Sequence, residues 1–301
     1  MLIGVAATPE VAIPTLEWLL TSEHEIALVI SQPDRAAGRG REFKTTPVST
    51  WAISHGLALI RPNSPQELQG QIDDLDCVLT IGYGVLLPEA ILRLPKFGFL
   101  NLHFSLLPAY RGAAPVQRAI ENGETETGVS VFALDIGMDT GPIYSRAYQK
   151  IEPQWRSFEL MQALAKLGPS AVESALTAIQ NGITPVPQSG ASSLAPKISK
   201  AQAKIDWSLS AKEILARIRA FYPQPGAWSE FKAEGIKLTS AKASEEKISP
   251  GEIVVIGNEV NVGCGRASAI TLLRVIPAGR KEMSAAEWSR GARLEGGSHF
   301  D

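Results

Sequence analysis

Apolar runs of four to six residues recur along the first third of the chain, at 2–6, 26–31, 57–60, 77–81 and 99–103, with few polar side chains inside them. A strand with one wet face alternates apolar and polar positions. Runs that are apolar throughout are buried on both faces, which a parallel sheet covered by crossover helices provides. Between these runs lie helical stretches. One begins with Thr8 as N-cap and Pro9 in the first turn and ends near Thr21, and another spans 65–72. The pattern therefore predicts an α/β fold with an open, mostly parallel sheet. Beyond His103 the order changes to a turn-rich stretch, a short helix at 115–121, strands at 127–134 and 143–148, and a longer helix at 158–180. Arg111-Gly112-Ala113-Ala114 precedes the short helix, and its small residues allow close approach between backbone and ligand.

Residues 181–196 contain Pro185, Pro187, Gly190 and three serines and read as a linker. After it come a helix at 210–221 and five short strand patterns at 227–231, 236–243, 251–256, 260–263 and 270–275. Short strands in succession predict a small β-barrel of the oligonucleotide-binding (OB-like) type. The domain expectation is an α/β domain at 1–188, a linker at 189–204 and an OB-like domain at 205–301.

Charge sharpens this division. The net charge of the 301-residue chain is -2, but residues 1–196 carry 13 Lys/Arg against 19 Asp/Glu, and residues 197–301 carry 16 against 12. A basic second domain fits contact with a polyanion, and fits equally a solvated face. Two isolated cysteines, Cys77 and Cys264, give neither a disulfide framework nor a metal cluster. The first residues lack a secretory pattern and no apolar run is long enough for a bilayer, so the expectation is a cytoplasmic protein without membrane contact. No heptad pattern is present, and a monomer is expected.

Ligands of open α/β sheets sit beyond the carboxyl ends of the strands. Three segments converge there: 81–88, 101–112 and 135–142. The first strand is followed by Ala6-Ala7-Thr8-Pro9 and not by a Gly-x-Gly-x-x-Gly loop, which disfavours a dinucleotide site. Phosphate-loop and Gly-x-Ser-x-Gly patterns are absent as well. His24 and His55 stand in polar turn settings, and His299 lies near an end expected to fray. His103 differs because it ends a strand two positions after Asn101, on the same face. An amide there can donate to a developing oxyanion, and a neutral imidazole can take a proton from an attacking amine. Asp139 or Asp135 is the natural carboxylate to hold the imidazole tautomer. The bland alternative is a satisfied strand-end histidine with an Asp-x-Gly turn that caps its own backbone.

Asn101-Leu102-His103, Ser105-Leu106-Leu107-Pro108, Arg111-Gly112-Ala113-Ala114-Pro115 and Asp135-x-Gly-x-Asp139-Thr140-Gly141 together resemble the signature of folate-dependent formyltransferases. The likeness extends to Ala7-Thr8-Pro9-Glu10, to the loop from Gln32 to Gly40, to Ile205-Asp206-Trp207 and to Ile218-Arg219-Ala220-Phe221. Over essentially the whole chain it is similar to the branch of that family acting on methionyl initiator tRNA.

The resemblance implies that 1–188 is a formyltransferase catalytic domain and 205–301 a tRNA-binding one. It implies that Asn101, His103 and Asp139 are the catalytic set, with no metal. The implied donor is 10-formyltetrahydrofolate, held near Gly82, Tyr83, Gly84, Leu87 and Pro88 and near Ser105, Leu106, Leu107 and Pro108. Arg35, Arg39, Arg41 and Lys44 would meet the acceptor end of methionyl initiator tRNA. Three positions depart from the family pattern: Phe104 and Ala7 stand where glycine is usual, and Gly82 where alanine is usual. Formyl transfer to a small amine, hydrolysis of formyl-folate and a catalytically inert nucleic-acid-binding module remain open alternatives.

Overall fold

The computed structural model describes residues 1–37 and 42–301, with the side chains of 35–43 outside the description. The chain forms two compact units. The first contains Met1–Gly112, Glu126–Lys150 and Met161–Ala195; the second contains Ala113–Thr125, Ile151–Leu160 and Pro196–Asp301.

The early elements are β1 (Leu2–Ala7), α1 (Ile13–Thr21), β2 (Glu25–Ile30), β3 (Arg35–Ala37), β4 (Glu42–Lys44), α2 (Pro47–Ser54) and β5 (Leu59–Ile60). They continue with β6 (Cys77–Ile81), α3 (Glu89–Leu92), β7 (Phe99–His103), α4 (Pro115–Glu121), β8 (Glu126–Ala133), β9 (Ile143–Lys150) and α5 (Ser157–Gln180). Seven strands make one sheet in the order β5-β2-β1-β6-β7-β8-β9. The first five are parallel, while β8 runs antiparallel to β7 and β9 antiparallel to β8. The continuous apolar runs become strands buried on both faces, as at Cys77–Ile81, where every residue is buried. Strand order reverses between β1 and β6, so the loops leaving them flank the crevice where open sheets bind ligands.

Several local expectations change. Thr8 does not cap a helix: a 3-10 turn covers Glu10–Ala12 before α1, and the Thr8 hydroxyl lies 3.5 Å from the Tyr83 carbonyl oxygen. The helical reading of 65–72 shrinks to a 3-10 turn at Pro65–Leu68. Helix α2, unforeseen from its weak periodicity, starts on Thr46, whose hydroxyl accepts from the Ser49 N–H at 3.1 Å, with Pro47 in its first turn. The arginine-bearing loop is flanked by a short hairpin pairing Arg35 with Lys44 and Ala37 with Glu42.

The stretch that reads as a linker is tied to the first unit through Ala195. Pro185 and Pro187 cannot donate, but Val186 between them exchanges both backbone bonds with Ile143 at 2.8 and 2.9 Å. Farther on, Arg111 N–H donates to Ser193 O at 2.9 Å and Ala195 N–H to Arg111 O at 2.6 Å. An edge strand and a turn needed backbone partners, and this stretch supplies them.

The second unit contains α6 (Ala211–Ala220), β10 (Trp228–Phe231), β11 (Glu234–Ser244), β12 (Ile253–Ile256), β13 (Glu259–Cys264), β14 (Ser268–Pro277), β15 (Met283–Ser284) and α7 (Ala285–Ala292). Both α6 and α7 open with capping boxes, Ser210 with Glu213 and Ser284 with Glu287. Its antiparallel sheet has the order β10-β11-β14-β13-β12, with β15 beside β14. Residues 298–301, expected to fray, join its two edges. Ile253 N–H donates to Ser298 O at 2.8 Å, Phe300 N–H to Gly251 O at 2.9 Å and Asp301 N–H to Glu230 O at 3.0 Å. Phe300 is buried and nearly parallel to both Trp207 and Trp288, with centroids 5.3 and 5.7 Å away. Trp207 is thus a packing residue. Phe300→Ala should cost about 3–5 kcal/mol of this unit's stability, seen as a lower urea midpoint by tryptophan fluorescence. An unchanged midpoint would contradict the closing role of this segment.

Candidate functional site

His103 ends β7 with its imidazole buried, 6% exposed. Its Nε2 lies 3.0 Å from the carbonyl oxygen of Tyr110. A carbonyl can only accept, so in the neutral ring Nε2 carries the proton and Nδ1 is left with a lone pair. Nδ1 faces Asp139, whose Oδ2 is 3.8 Å away. The same Oδ2 accepts from the Gly112 N–H at 2.7 Å, which fixes the carboxylate beside the ring. Asp139 is therefore near His103, as expected, but the tautomer is set by Tyr110 and not by a carboxylate. Tyr110 (φ 61°) and Asp139 (φ 53°) both occupy the left-handed region, and in the first unit they are the only such non-glycine residues among those described, so its backbone strain falls on the two residues that address the ring. Asp135, the other candidate carboxylate, is turned to its own loop: it accepts from Gly137 N–H at 3.0 Å and from Thr140 Oγ1 at 2.6 Å. Its aspartate turn is the bland capping arrangement.

Burial lowers the His103 pKa from the ordinary 6.5, against the Asp139 charge and the Tyr110 carbonyl, which raise it. The desolvation effect is the largest, so the ring is neutral at neutral pH and its Nδ1 is available as a base. A proton arriving there would create an imidazolium beside a carboxylate.

Asn101 lies two residues before His103 on β7 and pairs in register with Thr80 of β6. The Thr80 hydroxyl lies 2.7 Å from Asn101 Oδ1 and 3.0 Å from Leu100 O, and its single proton serves one at a time. With Oδ1 turned to Thr80, the amide's donor end points away from that contact. Among the described residues Asn101 Nδ2 has no hydrogen-bond partner. An unengaged donor and an unprotonated ring nitrogen thus share one face of a strand end.

The 105–108 segment follows directly. Ser105 Oγ donates to Ala109 O at 2.6 Å. Ser130 Oγ donates to Ser105 O at 2.8 Å and accepts from Leu107 N–H at 3.1 Å. The Leu107–Pro108 peptide is cis. Ser105 and Leu107 have buried side chains that brace this turn, leaving Leu106 and Pro108 half-exposed. Phe104 packs its ring inside and avoids positive φ, so the missing glycine forces no strained backbone here. Gly112 is required differently: at φ 118° a Cβ would come 2.9 Å from Ala195 O.

The 82–88 loop leaves β6 at the crevice. Gln32 Nε2 donates to Tyr83 O at 2.6 Å and pins it. Gly82 has φ 58°, and a Cβ there would meet Pro9 Cγ at 2.7 Å, which accounts for glycine at this position. Gly82, Gly84 and Pro88 are exposed, Leu87 is half-buried and Tyr83 is buried. Leu86 (85% exposed), Ile136 (80%) and Met138 (59%) stand as apolar side chains on the two crevice loops. Sequence reasoning passed over them, although apolar residues within glycine-rich turns were a readable signal. Thr80, Tyr110 and Gln188 were also missed as supporting residues, because their roles depend on partners remote in sequence.

The basic residues are less fully placed. Lys44 is exposed on β4 and Arg35 begins β3, but the Arg35 side chain, Arg39 and Arg41 lie outside the described residues. Cys77 and Cys264 are buried free thiols, both pushed up to about 12 chiefly by burial, which leaves no reactive thiolate at either. Among the described residues no helix is long and apolar enough to cross a membrane.

Comparison with known proteins identifies the family. Residues 3–176 match the formyl transferase family model, and residues 197–293 that of the formyl transferase C-terminal domain. A methionyl-tRNA formyltransferase of Mycobacteroides abscessus is 42% identical over 306 residues, covering 99% of each chain. One of Salinispora tropica is 40% identical over 302 residues, covering 97% of each. The crystal structure of HypX from Aquifex aeolicus with tetrahydrofolic acid shares the fold at a TM-score of 0.68 and 18% identity, over 98% of this chain and 48% of that one. Methionyl-tRNA formyltransferase from Clostridium thermocellum superposes with a TM-score of 0.57 at 17% identity, over 82% and 94% of the two chains. With both family models matched and relatives of about 40% identity along nearly the entire length, the chain belongs to the methionyl-tRNA formyltransferase family.

Proposed function

We propose that this chain transfers the formyl group of 10-formyltetrahydrofolate to the α-amino group of methionyl initiator tRNA, giving N-formylmethionyl-tRNA and tetrahydrofolate. The observation carrying the chemistry is the imidazole whose Nε2 is committed to Tyr110 O while Nδ1 stands bare beside Asp139. The acceptor is supported by relatives named methionyl-tRNA formyltransferase over the same length, and a folate donor by the tetrahydrofolic acid named with the HypX structure. The basic balance of residues 197–301 and the cluster Arg35, Arg39, Arg41 and Lys44 favour a tRNA over a small amine. Action as a cytoplasmic monomer is part of the same reading.

The steps follow from the atoms. The neutral amine attacks the formyl carbon, and the carbonyl electrons move onto oxygen, where the Asn101 amide donates to the oxyanion. The ammonium proton passes to His103 Nδ1, and the imidazolium is held by Asp139 at one nitrogen and Tyr110 O at the other. Collapse of the tetrahedral species breaks the bond to N10. The departing electron pair on N10 takes the proton back from His103, leaving an amide on methionine and a secondary amine on folate. The folate itself would lie along the 82–88 loop and the 105–108 segment, against Gly82, Tyr83, Gly84, Leu87, Pro88, Leu106 and Pro108. The braced backbone of Ser105 and Leu107 supports that face.

His103→Ala should lower kcat by about 10²–10⁴-fold with formyl-folate binding retained. The readout is the mass of methionyl initiator tRNA before and after incubation with formyl-folate; full turnover by the variant contradicts the base assignment. The pH profile supplies a signed test. Because burial places the His103 pKa below 6.5, kcat/KM, once corrected for protonation of the substrate's own α-amino group, should fall on the acid side only at pH below that value. Asp139 raises the His103 pKa, so Asp139→Asn should move this acid limb to still lower pH while reducing kcat on the order of 10–100-fold. A limb moving to higher pH would refute the pairing. For the tRNA loop, neutralising Arg39 and Arg41 together should weaken tRNA binding and flatten its salt dependence by roughly one unit of log–log slope per lost phosphate contact, with folate affinity intact. Unchanged tRNA affinity and slope in a binding titration would remove the loop from the interface.

A further inference from the structure

Three groups around His103 are themselves held by the stretch that composition marks as a linker. Gln188 makes the most specific of these contacts. Its Nε2 donates to two backbone carbonyls, Asp139 O and Gly141 O, both at 2.8 Å. Its Oε1 accepts from the Arg111 guanidinium, at 2.6 Å from Nη2 and 3.2 Å from Nε. One side chain thus clamps the turn that carries Asp139 in its left-handed conformation to the residue beside Gly112, whose N–H holds the Asp139 carboxylate. On the other side of the ring, Ser193 Oγ accepts from the Tyr110 N–H at 2.9 Å, so the carbonyl that fixes the tautomer belongs to a residue anchored by the same stretch.

Neither carbonyl at 139 nor 141 is a reacting group, and an amide spanning two of them cannot serve as proton carrier or oxyanion donor. What it can do is keep a strained turn from relaxing. A shift of about 1 Å at a catalytic group can cost on the order of 100-fold in rate, and the Asp139 to His103 separation of 3.8 Å already leaves little room for drift. The Arg111 fork makes Gln188 rigid, since two of the three guanidinium nitrogens meet one oxygen.

We propose that Gln188 is a positioning residue for formyl transfer, acting through the 139–141 turn to keep the Asp139 carboxylate beside His103 Nδ1. The proposal rests on the catalytic reading above and deepens it. It assigns a role in the reaction to a residue that lies outside every motif of the family signature read from this sequence.

The test uses the full chain carrying Gln188→Met, which is neutral and of similar length but lacks both donors, and Gln188→Ala as a second variant should the first fold poorly. Expected are a loss in kcat of roughly 10–100-fold, an acid limb of kcat/KM displaced to lower pH, and a nearly unchanged KM for formyl-folate. In the Asp139→Asn background the same substitution should cost less than about 2-fold more, because its effect runs through a carboxylate already neutralised. A wild-type pH profile in both single variants, or losses that multiply in the double variant, would overturn the proposal. The His103 ring-proton titration by NMR separates it from the catalytic reading. If wild-type protein formylates no amine, the catalytic reading fails, yet a lowered His103 midpoint in the Gln188 variants still supports the clamp and an unmoved midpoint still refutes it.

Discussion

A carbonyl oxygen has no proton to give, and the hydrogen bond between Tyr110 O and His103 Nε2 therefore decides which nitrogen of the imidazole is the base. With Nε2 committed, Nδ1 is the only lone pair the ring can offer, and it points at the Asp139 carboxylate. Burial keeps the ring neutral, and the carboxylate favours the charged ring only once a proton has arrived. Desolvation and ion pairing thus act at different stages: one keeps the resting base available, and the other stabilises it after it has reacted. Asn101 adds the complementary pole, since its oxygen is turned to Thr80 and its donor end is left for a developing negative charge.

This arrangement depends on how the first unit is wound. The strand-order reversal between β1 and β6 opens a crevice at their carboxyl ends, and β7 beside β6 brings Asn101 and His103 to its rim. Antiparallel pairing makes the 134–142 loop leave β8 beside Phe99, at the far end of β7, and the loop folds back so that Asp139, held by the Gly112 N–H, comes within reach of His103, 36 positions earlier in the chain. Two left-handed residues, Tyr110 and Asp139, give the required directions at a cost of about 1–3 kcal/mol each. The returning stretch through Gln188 and Ser193 offsets that cost with hydrogen bonds. In the second unit Phe300 plays the comparable packing role, sandwiched between Trp207 and Trp288.

Much of this was legible in the sequence because burial on both faces leaves an unbroken apolar run, and such runs located β1, β2, β6 and β7 nearly to the residue. The pairing of Asn101 with His103 was legible for the same reason: strand alternation places positions two apart on one face. The illegible parts share a different cause. Thr80 became relevant through cross-strand register, and Tyr110 through a left-handed turn, neither of which a single chain displays locally. Gln188 and Ser193 sat among prolines, glycine and serines, a composition that also describes a flexible connection; only the hydrogen bonds to Asp139, Gly141 and Tyr110 separate the two. Phe300 lay too near the chain end for periodicity to register its burial. Helix α2 was hidden because its apolar positions form no clear stripe, and its Thr46–Pro47 start was the one available cue.

The tautomer of His103 is the most direct measurement of all this, and nitrogen-15 chemical shifts of labelled histidine in the wild-type protein at neutral pH report it. The geometry requires a protonated, pyrrole-like Nε2 and a bare, pyridine-like Nδ1 on His103. A proton on Nδ1, or a doubly protonated ring at neutral pH, would contradict the assignment of the base and the order of events built upon it.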